Sequence, residues 1–278
     1  MGIEFTPITT TVGAYVDGVT LAGINAEEAA ALGQGLVEFG ALFFRNQPMS
    51  HEEHLALGRH FGPLHLHPTA TRKSGAEGSG PPPAPEGLLR IHADERTKHS
   101  AGFKWHSDVS CDEQPPLASI LTLHTVPPRG GDTLFTDTQA AFDALSEPLQ
   151  AFLAPLQAVH SGARVYTDRF GIQPPAGETF PQAEHPVIRT HPESGRKGLF
   201  VNENFTSHIV GLERWESDEI LAMLYRHLAN PYFQCRFAWE EDSVAMWDNR
   251  SMQHLALWDY FPETRSGWRV TVAGDRPV

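Results

Sequence analysis

Cysteine and long apolar runs are both scarce in this 278-residue chain, and each scarcity excludes a class of protein. The two cysteines, Cys111 and Cys235, are too few for a disulfide framework or a zinc ribbon, so we expect a reducing compartment and a cytoplasmic location. No apolar run reaches the roughly 18 residues of a membrane span. The opening "MGIEFTPITTTVGAYVDG" lacks a basic segment followed by an apolar one, so we expect no signal peptide.

Basic residues are also in short supply. Lys and Arg number 21 against 34 Asp and Glu, which gives a formal net charge of -13 and a pI near 5.5. This balance argues against a nucleic acid or an anionic membrane as a partner. A local cationic pocket inside an acidic protein would still accept a small anionic substrate. The length suits one large domain or two small ones with a sizeable core.

Helix and strand signals alternate along the chain. "NAEEAAALGQGLVEFG" and "MSHEEHLALGRHFGPL" predict helices capped by Asn25 and Ser50, each with a Glu three residues later, and we expect the His51–His54 turn of the second to be solvated. "TQAAFDALSEPLQAFLAPL" predicts one further helix and "ESDEILAMLYRHLAN" another, capped by Ser217. Short β-like runs punctuated by Pro and Gly fill the rest. This mixture predicts a β-sandwich or barrel with helices packed outside.

One segment is rich in Gly, Ser and Pro. Residues 74–87, "SGAEGSGPPPAPEG", suit neither a helix nor a central strand. Long loops of this kind inside a compact domain are usually lids or tethers. We predict a mobile lid beside the active site, with a plain surface loop as the alternative.

Two candidate metal ligands alternate in "FKWHSDVSCDE". In an extended segment His106 and Asp108 would face one side and Ser107 the other, a pattern that fits either a metal site or a surface pair. His254, in "MWDNRSMQHLALWDY", is the candidate third ligand. Two imidazoles and one carboxylate on one face of a metal leave the other positions open, as in non-haem Fe(II) oxygenases.

Two arginines follow the third ligand. Such an iron site needs an electron-donating co-substrate, and the far carboxylate of a chelating keto acid would need a fixed cation. Arg265 and Arg269 would both reach the cavity if "GWRVTVAG" pairs with the strand of His254. Arginine suits this task because its planar fork binds a carboxylate or sulfonate through two parallel hydrogen bonds. Thr133, after a Gly-Gly turn, would donate a hydroxyl hydrogen bond to the same carboxylate.

Together these motifs resemble the TauD/TfdA family of Fe(II)/2-oxoglutarate-dependent dioxygenases. The matching stretches include "WHSDVSCDEQPPLAS", "PPRGGDTLFTD", "WDNRSMQHLALWDY" and "RSGWRVTVAGDRP", and the similarity covers nearly the whole chain. It implies a single domain over residues 1–278 with a mainly β fold and flanking helices, the double-stranded β-helix or cupin-like jelly roll. It also implies Fe(II), 2-oxoglutarate and O2, with succinate and CO2 as products, and it is compatible with a homodimer or homotetramer.

The resemblance assigns roles to the candidate ligands. His106, Asp108 and His254 would bind Fe(II). Thr133 and Arg265 would hold the 2-oxoglutarate carboxylate, although the residues alone leave open an exchange of roles between the two arginines.

On the substrate side, the resemblance assigns Arg269 and His67 to a substrate anion and Phe205 to the pocket wall. The alternatives are a surface ion pair for Arg269, a structural role for His67 and ordinary core packing for Phe205. The sequence departs from taurine-type members at Ala70, where they have tyrosine, and at Gly102, where they have asparagine. We therefore predict hydroxylation of a C–H bond of an alkylsulfonate such as taurine, a sulfate ester or a carboxylate, in an altered pocket.

Other functions fit part of these features. A biosynthetic oxidase of an amino-acid-derived or other specialised metabolite would use the same iron site. A metal-binding jelly-roll protein without turnover would have no need of the Arg265 and Thr133 pair. A nucleic-acid demethylase shares the iron ligands, but the acidic charge and the lack of a basic stripe oppose it.

Overall fold

A computed structural model describes residues 2–67, 85–98, 102–168, 171–174 and 176–278. The lid predicted at 74–87 lies outside the described residues, apart from 85–87. The strands are β1 (Glu4–Pro7), β2 (Ala14–Asp17), β3 (Ala41–Phe44), β4 (Leu88–Ala93), β5 (Ala118–Thr125), β6 (Thr133–Asp137), β7 (Gln157–Ser161), β8 (Gln182–Pro186), β9 (Ile188–Thr190), β10 (Lys197–Leu199), β11 (Thr206–Ile209), β12 (Gln234–Phe237), β13 (Ser243–Asp248), β14 (Met252–Ala256) and β15 (Arg265–Val272). The helices are α1 (Ala26–Phe39), α2 (His51–Arg59), α3 (Thr138–Asp143), α4 (Glu147–Leu153), α5 (Ala163–Tyr166) and α6 (Arg214–Leu228), with a 3₁₀ turn at Pro231–Phe233.

Two sheets face each other across the core. In the described part of the chain, the large sheet has the order β1-β2-β3-β13-β5-β15-β4, and the small one has the order β12-β6-β14. Alternate residues of the large sheet face opposite layers, as the pleat of a strand requires. Ala245 and Trp247 of β13 pack inward against Phe135 and Phe237 of the small sheet. This face-to-face arrangement confirms the predicted jelly roll with flanking helices.

Helices cover the outer face of the large sheet. Val244 and Met246, which alternate with the inward residues of β13, pack against Leu32 and Leu36 of α1 and Leu57 of α2. Both helices start at the predicted residues. The side chains of Asn25 and Ser50 accept hydrogen bonds from the first turn, and the Glu three residues later closes each capping box.

Two local helix predictions were wrong, and a third failed at one residue. The segment predicted as one helix forms α3 and α4, because Pro148 sits in the first turn of α4 and would interrupt a continuous helix. Helix α6 begins after Glu213, which forms the capping box; Ser217 is buried, and its hydroxyl accepts from the Ile209 N–H at 2.8 Å. The first turn of α2 is exposed over residues 51–53, as predicted, but His54 is buried, with Nε2 3.0 Å from the Ile120 carbonyl oxygen.

Strand pairing corrects another prediction. β15 pairs with β5 and β4 in the large sheet, whereas β14 pairs with β6 in the small sheet. The strand that carries Arg265 and Arg269 therefore lies across the sandwich from the strand of His254. The arginines reach the same cavity from the opposite sheet.

Neither cysteine is part of a disulfide, and both are buried. Among the described helices, none combines the length and apolar character that crossing a bilayer would require.

Candidate functional site

A cavity of about 290 Å³ opens between the two sheets, and every site residue predicted from the sequence lines it. The small sheet supplies His254 from β14 and Thr133 from β6, and the large sheet supplies Arg265 and Arg269 from β15. The structure thus brings all of these residues together in one cavity, although the pairing assumed for their strands was wrong.

Three buried side chains form a compact donor cluster. One potential ligand atom from each of His106, Asp108 and His254 lies within 4.8 Å of the others. A two-residue antiparallel bridge holds the histidines together: the His106 N–H donates to the His254 carbonyl at 3.1 Å, and the reverse bond is 2.9 Å. Their ring centroids are 4.1 Å apart. In the described part of the chain, this is the one group of three or more such side chains close enough to hold a metal ion.

The segment around His106 is not a continuous strand. Its extended pairing stops at His106, and Asp108 leads into a turn in which Val109 adopts a φ of 45°. A β-branched residue in this left-handed region is strained, and such strain collects at functional sites. The prediction that His106 and Asp108 face one place is nevertheless confirmed. Ser107 donates instead to the Met252 carbonyl at 2.8 Å.

Hydrogen bonding orients one imidazole for coordination. His106 Nδ1 lies 2.7 Å from the Lys104 carbonyl oxygen, so Nδ1 carries the hydrogen and Nε2 faces Asp108 Oδ1 at 3.8 Å. Such a bond to the outer nitrogen is typical of histidine metal ligands. His254 Nδ1 is buried and makes no hydrogen bond to any described residue. Burial and the neighbouring His106 lower the pKa of His254, so it is the neutral imidazole that a metal requires.

Asp108 is held from two sides. Its Oδ1 accepts from Arg269 Nη1 at 2.6 Å and its Oδ2 from the Ser119 hydroxyl at 2.7 Å. Burial alone would raise the pKa of Asp108, but the positive charge of Arg269, followed by the neighbouring histidines and the Ser119 bond, brings it below its usual range. The carboxylate is therefore ionised. Two imidazoles and one carboxylate, all buried, fit a divalent first-row metal such as Fe(II).

Sequence reasoning missed two residues that support this carboxylate. Ser119 accepts from Asn249 Nδ2 at 3.0 Å, and Asn249 Oδ1 accepts from both the Asp108 N–H and the Trp247 indole. Ser119 lies in an apolar strand at the end of the stretch "WHSDVSCDEQPPLAS", and nothing in that stretch shows that its hydroxyl contacts Asp108. Asn249 follows a buried strand in "WDN". This pattern predicts a turn but does not show which residues the Asn249 side chain contacts.

Arg265 is a buried cation that has no carboxylate counterion among the described residues. It is 4% exposed, and its Nε donates to the Gly131 carbonyl at 2.9 Å while Nη2 lies 3.4 Å from Thr133 Oγ1. It forms no ion pair with a carboxylate of the described residues. Burial lowers the pKa of Arg265 to about 10, against the opposing effects of Tyr260 and Asp132, so the guanidinium stays charged at neutral pH.

Arg269 is buried rather than a surface ion-pair partner, and its Nη1 contacts a site carboxylate. Its Nε is buried and has no hydrogen-bond partner within the described ranges. The sequence did not anticipate the contact with Asp108, because the two residues are far apart in the chain. Arg269 therefore lines the cavity and also hydrogen-bonds directly to Asp108 of the donor cluster.

His67 lies beside a tyrosine that the sequence analysis missed. Tyr166 Oη is 3.4 Å from His67 Nε2, and the rings meet edge to face. Burial and Arg269 lower the pKa of His67 to about 3, while burial raises the pKa of Tyr166, so both side chains are neutral near pH 7. The buried ring of Phe205 lines the cavity 6.4 Å from the His106 ring.

The remaining wall is mostly apolar. Leu89 and Ile91 of β4 lie opposite Arg269 and Gly267 of β15, and hence on the cavity face of the sheet. At Gly102, where φ is 80°, an added Cβ would lie 3.4 Å from the His106 ring. Glycine thus leaves room next to the donor cluster. Ala70, the second departure noted in the sequence, lies outside the described residues.

Comparisons with known proteins point to one family. Residues 4–271 match the model of the family described as "Taurine catabolism dioxygenase TauD, TfdA family". An alpha-ketoglutarate-dependent sulfonate dioxygenase of Saccharomyces cerevisiae is 37% identical, over 98% of this chain and 67% of the relative. An alpha-ketoglutarate-dependent sulfate ester dioxygenase of Pseudomonas putida is 32% identical, over 99% and 91%. The crystal structure of a taurine dioxygenase from Burkholderia xenovorans superposes with a TM-score of 0.81 at 34% identity, over 99% and 92%.

Proposed function

Because the chain belongs to the TauD/TfdA family of dioxygenases, we propose that it is an Fe(II)- and 2-oxoglutarate-dependent dioxygenase that hydroxylates a C–H bond of a small organic anion. In this proposal His106, Asp108 and His254 hold the iron. Bound Fe(II) would supply the activation of O2, with one oxygen atom going to the substrate and the other to succinate as 2-oxoglutarate loses CO2.

The observation that carries the proposal is that Arg265, in the same cavity as the donor cluster, has no carboxylate partner in the described part of the chain. A buried guanidinium without a counterion costs several kcal/mol unless an anion neutralises it. A metal-binding protein without turnover would gain nothing from such a group. The distal carboxylate of 2-oxoglutarate supplies the missing charge, and the Thr133 hydroxyl beside it offers a further hydrogen bond.

On the substrate side we assign the anion to Arg269 and His67. Arg269 is a buried cation there, and the neutral His67 and Tyr166 pair contributes hydrogen bonds rather than charge. The apolar wall that includes Leu89 and Ile91 suits an alkyl or aryl portion. This combination favours sulfonates, sulfate esters and carboxylates with an apolar body, and the relatives that act on sulfonates and sulfate esters support it.

The decisive experiment measures succinate release from 2-oxoglutarate with Fe(II) and air. The panel contains alkylsulfonates, sulfate esters, phenoxyacids and amino acids, and His106→Ala is the control. We expect one anionic class to stimulate succinate release and the control to abolish it. Stimulation by amino acids or other specialised metabolites alone would favour a biosynthetic oxidase instead. No succinate from protein that demonstrably contains Fe(II) would refute the proposal.

Three further expectations stay predictions. They are the cytoplasmic location, the assembly as a dimer or tetramer, and the closure of residues 74–87 over the cavity. The absence of a nucleic-acid partner likewise rests on the charge of -13.

A further inference from the structure

Trp239 lies next to the pair that the proposed function assigns to 2-oxoglutarate. It follows β12, whose Phe237 pairs with Thr133 of β6. Its indole Nε1 donates to Thr133 Oγ1 at 3.0 Å, and the guanidinium carbon of Arg265 lies 5.4 Å from its ring centroid. One buried side chain therefore contacts both members of the pair. It does not itself belong to the cavity wall.

The hydrogen bonds of Thr133 fix the direction of its hydroxyl. A hydroxyl has one hydrogen to donate and two lone pairs that accept. Trp239 Nε1 and Arg265 Nη2 both point at Oγ1, which occupies both lone pairs. Within the described ranges no acceptor takes the Thr133 hydrogen. Because Thr133 also lines the cavity, that hydrogen is available to an acceptor bound there.

The same indole supports the cation. The separation of 5.4 Å between Arg265 and the ring lies within the range of a cation–π contact. This contact restrains the guanidinium without neutralising it, so the charge stays available to an anion. The ring has support of its own, since Phe237 meets it edge to face at 4.9 Å and stacks on Phe43 at 4.4 Å. Packing in the core thus fixes the Trp239 ring, and the ring in turn restrains Thr133 and Arg265.

We infer that Trp239 is a positioning residue for the co-substrate: it aims the Thr133 hydroxyl and the Arg265 guanidinium at the distal carboxylate of 2-oxoglutarate. The inference rests on the proposed function, which identifies 2-oxoglutarate as the ligand of Thr133 and Arg265. It adds a residue that acts through other residues and touches no reacting atom.

The test compares two 2-oxo acids that differ only at the distal end. 2-Oxoglutarate and 2-oxopentanoate share the metal-chelating end, but the second has a methyl group where the first has the distal carboxylate. Binding of each to Mn(II)-loaded full-length protein is measured by titration calorimetry, without turnover. Trp239→Phe keeps an aromatic ring and removes the N–H donor. We expect about tenfold weaker binding of 2-oxoglutarate, the loss of one hydrogen bond in a charged network, and unchanged binding of 2-oxopentanoate.

Matched variants separate positioning from general damage. Trp268→Phe makes the same substitution on the strand of Arg265, at a residue that faces away from the cavity and packs on His51, and should change neither affinity. Thr133→Val should reduce the effect of Trp239→Phe, because the lost N–H acts through that hydroxyl. If Trp239→Phe fails to fold, 3-benzothienylalanine at position 239 replaces the N–H with sulfur in a ring of the same shape.

Each outcome has one meaning. An equal loss of affinity for both oxo acids would show that Trp239 is merely structural, and unchanged affinity for both would show that it does not position the pair. Either result would overturn the inference. Wild-type protein that does not prefer 2-oxoglutarate over 2-oxopentanoate would instead refute the assignment of Arg265 and Thr133 in the proposed function.

Discussion

Removing the Ser119 hydroxyl should weaken metal binding although Ser119 cannot touch the metal. In Ser119→Ala, Asp108 loses the donor at 2.7 Å on Oδ2 and keeps Arg269 on Oδ1. Two effects oppose each other. The carboxylate becomes more basic, which strengthens a bond to a metal, but it also gains freedom to rotate. Loss of such an outer contact typically costs 10- to 100-fold, on the order of 1.4–2.8 kcal/mol, in metal affinity. Since Arg269 remains, we expect the lower end, about tenfold.

The same variant should lose stability by a separate route. Asn249 Nδ2 loses its acceptor at 3.0 Å, and one Asp108 oxygen loses its donor. Each buried group left without a partner costs about 1–3 kcal/mol. We therefore expect the free energy of unfolding to fall by about 3 kcal/mol in urea denaturation, alongside the loss in Mn(II) affinity measured by calorimetry.

A second buried serine serves as the control. Ser243 lies on β13 and accepts from Arg45 Nη1 at 2.8 Å, but it does not line the cavity. Ser243→Ala should lower stability and leave the Mn(II) affinity unchanged. If Ser119→Ala binds Mn(II) as tightly as wild type, or if both serine variants lose affinity equally, the claim that Ser119 orients Asp108 is refuted.

Three further predictions concern affinity and stability. Arg265→Ala should raise the KM for 2-oxoglutarate about 100-fold. Arg269→Ala should raise the KM for the substrate and should also weaken metal binding, because Asp108 loses its Arg269 donor. Steady-state kinetics at saturating metal with the reverse pattern of KM values would exchange the roles of the two arginines. Burial, with His185 nearby, lowers the pKa of His160 to about 3, so the neutral ring contributes fully to stability above pH 6.5, and this contribution falls by about 2 kcal/mol by pH 5. In urea denaturation, the free energy of unfolding of His160→Gln should therefore depend less on pH than that of the wild type. An equal pH dependence in the two proteins would contradict this. Asn25→Ala should lower the free energy of unfolding by about 1 kcal/mol through loss of the helix cap, and a change in Mn(II) affinity there would be unexpected.

Features set by neighbouring residues could be predicted from the sequence. Asn25 and Glu28 form their capping box within a single helical turn, so the sequence contains the whole interaction. Ser217 shows the limit of this reasoning, because a serine before an apolar run looks like a cap. Its hydroxyl instead accepts the N–H of Ile209, on a neighbouring strand.

The residues that the sequence proposes for the site meet in one cavity, but the residues that support them were not predicted. The resemblance assigns roles to the metal ligands and both arginines, whereas it assigns none to Ser119, which lies at the end of a matching stretch, or to Trp239, which lies outside the quoted stretches. Trp239 reaches Thr133 because β12 pairs with β6, and no local pattern encodes that pairing. The assumed pairing of the Arg265 strand with the His254 strand failed for the same reason.

An acidic chain can hold an organic anion because charge acts locally in its interior. The net charge of -13 resides largely on exposed groups, whose effect fades beyond about 8 Å in physiological salt. Inside the cavity, Arg265 has no carboxylate partner among the described residues, and the Gly131 carbonyl and the Trp239 ring restrain it without cancelling its charge. Burying that charge destabilises the empty fold. Binding of a carboxylate neutralises the charge and removes this destabilisation. The free energy released in this way contributes to the affinity for the co-substrate.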